Sequence, residues 1–241
     1  MQKIKVLLAI GLFVFSLIRA HQVASAGWQF ESIDSYERNS DITQSTDFYA
    51  AIGNDGSVHV LFLKDNPEPP LQRQFVIYAY KDESGWHNED ITRFIRGAGV
   101  PYQNLYLSLS LDSKNNVYIS YPSGRILYLM TNSSGTWITE AIFADVSDLL
   151  FGPESIVFDS HDNPHTAFHY GDKQYYEFKD SSGWHIETVE KVSYLDSMDV
   201  DSNNYPHGIS LQEQDEDYRC FLTYVYKDST GWHTEAVDGK K

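Results

Sequence analysis

The chain has a single cysteine, Cys220, in 241 residues. No internal disulfide can form, so stability has to come from a buried core rather than from cross-links. Phe221 and Leu222 follow Cys220, and the expectation is a thiol carried on a strand rather than a reactive one. Basic residues are scarce too: 18 Lys and Arg stand against 34 Asp and Glu, a net charge of −16. A surface of that sign repels phosphate backbones and anionic lipid, which argues against nucleic acid and membrane surfaces as partners. It suits a solvated extracellular protein or a cation-binding one. Helical periodicity is also missing; no stretch repeats its apolar residues every three to four positions.

The N-terminus carries an export pattern. Lys3 and Lys5 supply positive charge, Val6 to Ile18 an apolar core, and Ala24-Ser25-Ala26 a small-x-small cleavage site. The apolar core is short for a membrane span. Residues 1–26 are therefore read as a signal peptide, with an uncleaved anchor as the alternative, and the mature chain is expected to begin at Gly27. Losing Lys3, Lys5 and Arg19 leaves 15 basic residues against 34 acidic ones, a net charge of −19. The expected location is secreted or periplasmic, with no membrane insertion after cleavage.

What the chain does contain is repetition. Lys179-Asp180-Ser181-Ser182-Gly183-Trp184-His185-Ile186-Glu187 returns as Lys81-Asp82-Glu83-Ser84-Gly85-Trp86-His87-Asn88-Glu89 and as Lys227-Asp228-Ser229-Thr230-Gly231-Trp232-His233-Thr234-Glu235. A looser copy holds Trp137 and Glu140, and a half copy holds Trp28 and Glu31. All five tryptophans belong to the motif, each with Glu three residues later; from Trp86 onward the spacings are 51, 47 and 48 residues. A period of that length marks a propeller or another repeat array.

Three more segments with period-two alternation or aromatic content separate successive Trp motifs, for example Leu107–Asp112, Val117–Tyr121 and Arg125–Met130. With the Trp segment they make four strands per unit, labelled A to D in chain order. The predicted fold is all-β, a β-propeller of four-stranded antiparallel blades. It occupies residues 27–241, with blades at about 46–91, 104–142, 154–189 and 195–237. Five D segments face only four sets of A, B and C. The Trp28 segment is then either a spare N-terminal strand on a four-bladed disc or one end of an open arc. Such a strand exposes unpaired backbone groups, so it is expected to pair with a neighbouring blade or to make a homo-oligomer.

The A–B turns are short and alike, rich in Asp and Asn that cap their own backbone. The C–D turns are equally regular and lie at the same end of each blade. The D–A and B–C connections differ in every blade, and irregular loops on a rigid scaffold commonly carry binding chemistry. The candidate ligand-binding residues are therefore those at or near that variable face or breaking the repeat: Arg73, Arg93, Arg96, Tyr102 and Arg125, and, around strand B of blade 3, His169, Tyr170 and Asp172. The arginines could hold a carboxylate or uronate, or pair with neighbouring acids. His169 and Tyr170 could act as base and acid, or lie on a strand surface. The repeated tryptophans are expected to pack blade on blade. The repeated glutamates, on the opposite strand face, are expected to be solvated or turn-bonding. The repeated histidines are read as structural, so neither a metal nor a cofactor is expected.

The pattern Asp-Ser-x-x-Asn-x-Pro-His, an aromatic strand, then Lys-Asp-Ser-Ser-Gly-Trp-His-x-Glu-x-Val resembles repeats of secreted bacterial β-propellers. Those in turn resemble sialidase-type (Asp-box-like) and fucose-lectin-like propellers. The resemblance spans about 27–237 and implies a glycan-related role. The expectation is a secreted, non-enzymatic propeller that binds carbohydrate on its variable face, with an extracellular protein as the other partner class. A glycan-active hydrolase or lyase and a purely structural interaction module are the alternatives.

Overall fold

The computed structural model describes residues 31–33, 48–65, 74–95, 106–123, 126–144, 150–171, 173–190, 192, 194–195, 197–214 and 219–237. They form four four-stranded antiparallel sheets, each a meander in chain order. Blade 1 holds β1 (Phe48–Ile52), β2 (Val58–Asp65), β3 (Gln74–Asp82) and β4 (Gly85–Asp90). Blade 2 holds β5 (Ser108–Leu111), β6 (Val117–Ser123), β7 (Ile126–Thr131) and β8 (Ile138–Ala144). Blade 3 holds β9 (Leu150–Phe158), β10 (Pro164–Tyr170), β11 (Lys173–Asp180) and β12 (Gly183–Val189). Blade 4 holds β13 (Ser197–Val200), β14 (Pro206–Gln214), β15 (Arg219–Asp228) and β16 (Gly231–Ala236). Cys220 lies in β15. One 3₁₀ turn, Thr92–Phe94, follows β4.

The first strands of successive blades touch, β1 with β5, β5 with β9 and β9 with β13, as the inner strands of a propeller do. Among the described residues no contact of comparable extent joins β13 back to β1. The signal segment and Trp28 lie outside the described residues. Of the expected N-terminal strand, Glu31–Ile33 is described, and it is not in a ladder. Its Ile33 carbonyl accepts from the Asn88 side chain (3.2 Å) rather than from backbone.

Each sheet is apolar on both faces, so the core lies between blades. Between blades 1 and 2 sit Leu61, Tyr78, Ile119, Tyr121, Met130 and Trp137. Between 2 and 3 sit Leu127, Leu129, Ile156 and Phe168. Between 3 and 4 sit Ala167, Tyr176, Leu195 and Val225. The repeated Trp packs as expected: Trp137 meets Tyr78 edge-on at 5.3 Å, and Trp232 meets Tyr176 in the same way at 5.3 Å.

The repeated Glu does more than meet solvent. Trp137 Nε1 donates to Glu89 Oε2 (3.0 Å), and Trp232 Nε1 donates to Glu187 Oε2 (3.0 Å). Lys227 Nζ donates to both Glu187 oxygens at 2.6 Å, and Lys179 Nζ to both Glu140 oxygens at 2.8 and 3.0 Å. Glu31 completes the series, taking Lys81 Nζ at 2.7 Å and Trp86 Nε1 at 3.1 Å. Strand alternation is the cause: Trp and Glu three apart point to opposite faces, so each blade offers a donor backwards and an acceptor forwards. Within each hairpin a second motif closes the C–D turn. Asp82 Oδ1 accepts from Ser84 N and Ser84 Oγ, both at 2.7 Å, and lies 2.9 Å from His87 Nε2. Asp180 and Asp228 repeat the arrangement with His185 and His233. The Ser84 and His87 bonds hold the Asp82 carboxyl down at about 2. Gly85 stands here at φ 118°, which a side chain would resist.

Glu177 breaks the apolar pattern. Opposite Val60, Ile119 and Gly208, the other blades place Ala79, Met130 and Val225; opposite Thr166, blade 3 places Glu177. Its residue is 2% exposed, Oε2 has no partner among the described residues, and burial pushes its carboxyl up to about 8. The native carboxyl holds a proton that the unfolded one, with the ordinary glutamate value of 4.5, releases. Stability from this group is therefore full below about 4.5 and is lost as pH rises towards 8. Glu177→Gln should melt closer to wild type at pH 5 and above it at pH 8.5, read by circular dichroism. A pH-independent difference would refute the assignment.

The joints predict unequal costs. Trp137→Ala empties a buried site and should cost about 3–5 kcal/mol. Glu187→Ala removes partly exposed bonds and should cost about 1 kcal/mol. Denaturant unfolding of the two variants gives both values, and equal losses would contradict the packing account.

Candidate functional site

The innermost connections build a recess at one end of the propeller. In the β5–β6 turn the Asp112 carboxylate accepts from Lys114 N (2.9 Å), Asn116 N (2.8 Å) and Asn116 Nδ2 (2.7 Å). Asp159 repeats this with His161 N (2.8 Å), Asn163 N (2.9 Å) and Asn163 Nδ2 (2.9 Å). These carboxylates replace missing backbone partners in a tight turn, which is why Asp leads it. The fourth residue of the turn then takes a left-handed backbone: φ is 64° at Asn115, 62° at Asp162 and 65° at Asn204, with Gly56 at 83° in blade 1.

That conformation sends the side chain towards the preceding blade. Asn115 Oδ1 accepts from Asn54 N at 2.8 Å. Asp162 accepts from Ser113 N and Ser113 Oγ, both at 2.8 Å. Asn204 Oδ1 accepts from Ser160 N at 3.1 Å. Turn is locked to turn across each boundary. Among them lies an open recess of about 350 Å³. Its apolar wall is Ile52, Leu111, Val157 and Phe158; its polar wall includes Asn54, Asn115, Asp162 and Asp199.

The electrostatics are one-sided. The Ser113 N–H, then its hydroxyl, holds the Asp162 carboxyl below the usual range. At Asp159 burial pushes upward, but the Asn163 and His161 bonds outweigh it and the carboxyl is lowered. Both are fixed, ionised acceptors. A general acid needs the opposite shift, towards neutral pH. Among the described residues no group of three His, Cys, Asp or Glu is placed to hold a metal ion.

The residues expected at the variable face are placed as follows. Arg93 is exposed on the 3₁₀ turn, its Cζ 4.6 Å from the centre of the Phe94 ring. His169 is buried, stacked on Tyr194 at 4.3 Å, with Nε2 2.9 Å from the Gly171 carbonyl. Tyr170 is partly buried and packs on Phe143 and Tyr175. As strand neighbours, His169 and Tyr170 point to opposite faces and are not a converging pair. Arg73, Arg96, Tyr102, Arg125 and Asp172 lie outside the described residues, as do most of the loops of that face. The recess described above is at the other end, among turns whose sequence reads as structural. One signal pointed there. Two residues before the turn, blades 1 to 3 carry Ala51, Ser110 and Val157, whereas blade 4 carries the carboxylate of Asp199.

No known family model matches the sequence, and no curated protein matches it. Solved structures share its fold. A Dyadobacter fermentans protein of unknown function superposes with a TM-score of 0.51 at 12% identity, over 87% of this chain and 64% of its own. The NanB sialidase of Streptococcus pneumoniae gives 0.51 at 9% identity, over 78% and 47%. An ulvan lyase, solved with a glucuronate-rhamnose sulfate ligand, gives 0.52 at 10% identity, over 83% and 59%. The chain thus has a sialidase-like propeller fold and spans about half to two thirds of the length of these structures.

Proposed function

We propose that this propeller binds carbohydrate without catalysis, in the cavity among the A–B turns. The observation that carries this reading is the pairing of fixed acceptors with an apolar wall in one recess. A sugar presents hydroxyl donors at its edges and C–H groups on its faces. Asp162 and Asp199 suit the first, and Phe158 and Leu111 the second. Asp162 is held by the tie between turns and Asp199 stands on β13 with its Oδ1 on the Val200 N–H, so little ordering remains to be done on binding.

The same recess supports a substrate class. Its charged lining residues are all acidic, in a chain of net charge −16. Lys114, the cation beside Asp162 at 3.4 Å, is largely solvent-exposed. Acidic sugars would be repelled and neutral or amino sugars admitted. Sialic acid or uronate recognition would instead draw on the arginines expected at the opposite face.

A panel of neutral, amino, sialylated and uronate oligosaccharides, read by calorimetry, tests this. Binding of the neutral or amino class is expected. Asp199 is exposed, so Asp199→Lys should keep the melting temperature and weaken binding at least about tenfold, the loss of one well-placed polar contact. Binding of none of the panel would overturn the reading. Release of reducing ends or of unsaturated sugar would replace it with a hydrolase or lyase.

A further inference from the structure

Two of the three seams between blades share a bond that the middle one lacks. Between blades 1 and 2 Trp137 Nε1 donates to Glu89, and between blades 3 and 4 Trp232 Nε1 donates to Glu187. Between blades 2 and 3 Glu140 instead takes Lys179 Nζ on both oxygens, at 2.8 and 3.0 Å. Trp184 Nε1 is buried there with no hydrogen-bond partner among the described residues. The outer edge of this seam is also apolar where the others are polar. Ile138 stands where the other D strands carry His87, His185 and His233, and Ile186 where they carry Asn88, Thr139 and Thr234. Both are about half exposed, at 52% and 45%. Neither can donate a hydrogen bond across the seam, so the edge relies on the Lys179 to Glu140 tie.

Behind that edge lies Glu177. It stands two residues before Lys179 on β11, so strand alternation puts both side chains on the face turned to blade 2. Glu177 pairs with Ile186 and Lys179 with Trp184 on β12, which makes Glu177 and Trp184 diagonal neighbours on that face. Ser120 meets them from blade 2, on the same face of β6 as Tyr118, which packs on Phe158 of blade 3. Ser120 Oγ, Glu177 Oε2 and Trp184 Nε1 are all buried, and none has a hydrogen-bond partner among the described residues. The charged groups on this seam outside the axial turns are Lys179 and Glu140. Three tyrosines also face it: Tyr175 of the same strand, Tyr170 of β10 and Tyr118 of β6. Two residues of strand span about 7 Å, so a lysine side chain at position 179 reaches back to Glu177. At the axis the seam is held separately, by the two bonds from Ser113 to Asp162, with Lys114 beside them.

We propose that the seam between blades 2 and 3 is a latch set by the charge on Glu177, with Lys179 as its moving part. With Glu177 neutral, Lys179 reaches across to Glu140 and the outer edge is closed. When Glu177 gives its proton to solvent, Lys179 turns back to the carboxylate on its own strand face. Glu140 is then released, and the edge opens at Ile138, Ile186 and Trp184. The direction of the exchange follows from the two sites. The Lys179 and Glu140 side chains are 37% and 45% exposed, and an ion pair so placed is worth little. A carboxylate buried like Glu177, at 2% exposure, is costly without a counter-charge. Burial pushes this carboxyl up to about 8, so the latch is closed below that pH and open above it. The bonds at the axis take no part, which confines the opening to the outer edge.

Proton–nitrogen NMR of the indole N–H signals from pH 6 to pH 9 tests it, with Trp184 assigned by Trp184→Phe. In wild type the Trp184 signal should titrate with a midpoint of about 8, while those of Trp137 and Trp232 stay in place. In Glu177→Gln the titration should vanish. Lys179→Met changes a residue at the exposed edge and should keep the fold, checked by circular dichroism. Without the cation the Trp184 midpoint should move upwards by about one pH unit, the effect of losing an opposite charge. A Trp184 signal that is constant over the range overturns the proposal, and so does a titration that persists in Glu177→Gln. Three indole signals moving together mean unfolding of the whole domain and overturn a local latch. An unchanged midpoint in Lys179→Met refutes the change of partner. The wild-type and Lys179→Met readings decide the matter even where Glu177→Gln does not fold.

Discussion

The constraint on which the rest of this structure depends is that its sheets are apolar on both faces. With one cysteine there is no covalent cross-link to replace packing, so each blade must be covered by its neighbours. The D-strand Trp packs on an aromatic side chain of the blade before it, and the Glu carboxylate that takes the indole N–H fixes where the Trp can sit. Trp137 and Trp232 each meet a tyrosine of the preceding blade edge-on while donating to its glutamate. A buried indole N–H without an acceptor is costly, so this pairing sets register as well as adhesion. Trp184 shows the variation tolerated: its Nε1 has no partner among the described residues, and Glu140 is held by Lys179 instead.

From that packing follows the geometry at the axis. Once the blades are set side by side, their innermost turns come within hydrogen-bond reach, and the left-handed Asn or Asp of one turn accepts from the backbone of the last. The side chains that stiffen the turns are also the polar wall of the cavity. Asp162 is both a bridge to Ser113 and a lining residue. A site made of the scaffold's own ties has its acceptors positioned before any ligand arrives. It leaves little room to alter them without loosening the boundary, which is why Asp199, outside the tie, is the natural place for specificity to vary.

Much of the fold was legible in the chain. The return of Trp with Glu three residues later placed four D strands, and the alternation at Val117–Tyr121 or Pro164–Phe168 placed B strands that the structure contains as β6 and β10. Turn chemistry was legible because Asp112 and Asp159 act on residues two and four ahead of them. The role of the repeated Glu was not. Its partners, such as Lys227 for Glu187, lie 40 residues away in sequence, and alternation says which face a side chain takes but not what meets it there. Glu177 stood in an aromatic strand as one more polar residue of an alternating pattern, and only burial against blade 2 makes it a protonated acid. His169 and Tyr170 looked like a pair because they are adjacent, which in a strand is the reason they diverge.

By itself, then, the sequence determined what is local and periodic: strand length, turn type, the number of Trp motifs, and the acidity of the surface. These depend on residues within about five positions of each other, and the chain spells them out. The tertiary structure decided what depends on distance through space. It brought the turns of three blades and the β13 carboxylate together around one cavity, and it gave Glu31, Glu89, Glu140 and Glu187 each a donor from the blade that follows. Those relations are set by how sheets twist and stack, and sheets of the same repeat meet different neighbours at the middle and at the ends of an array.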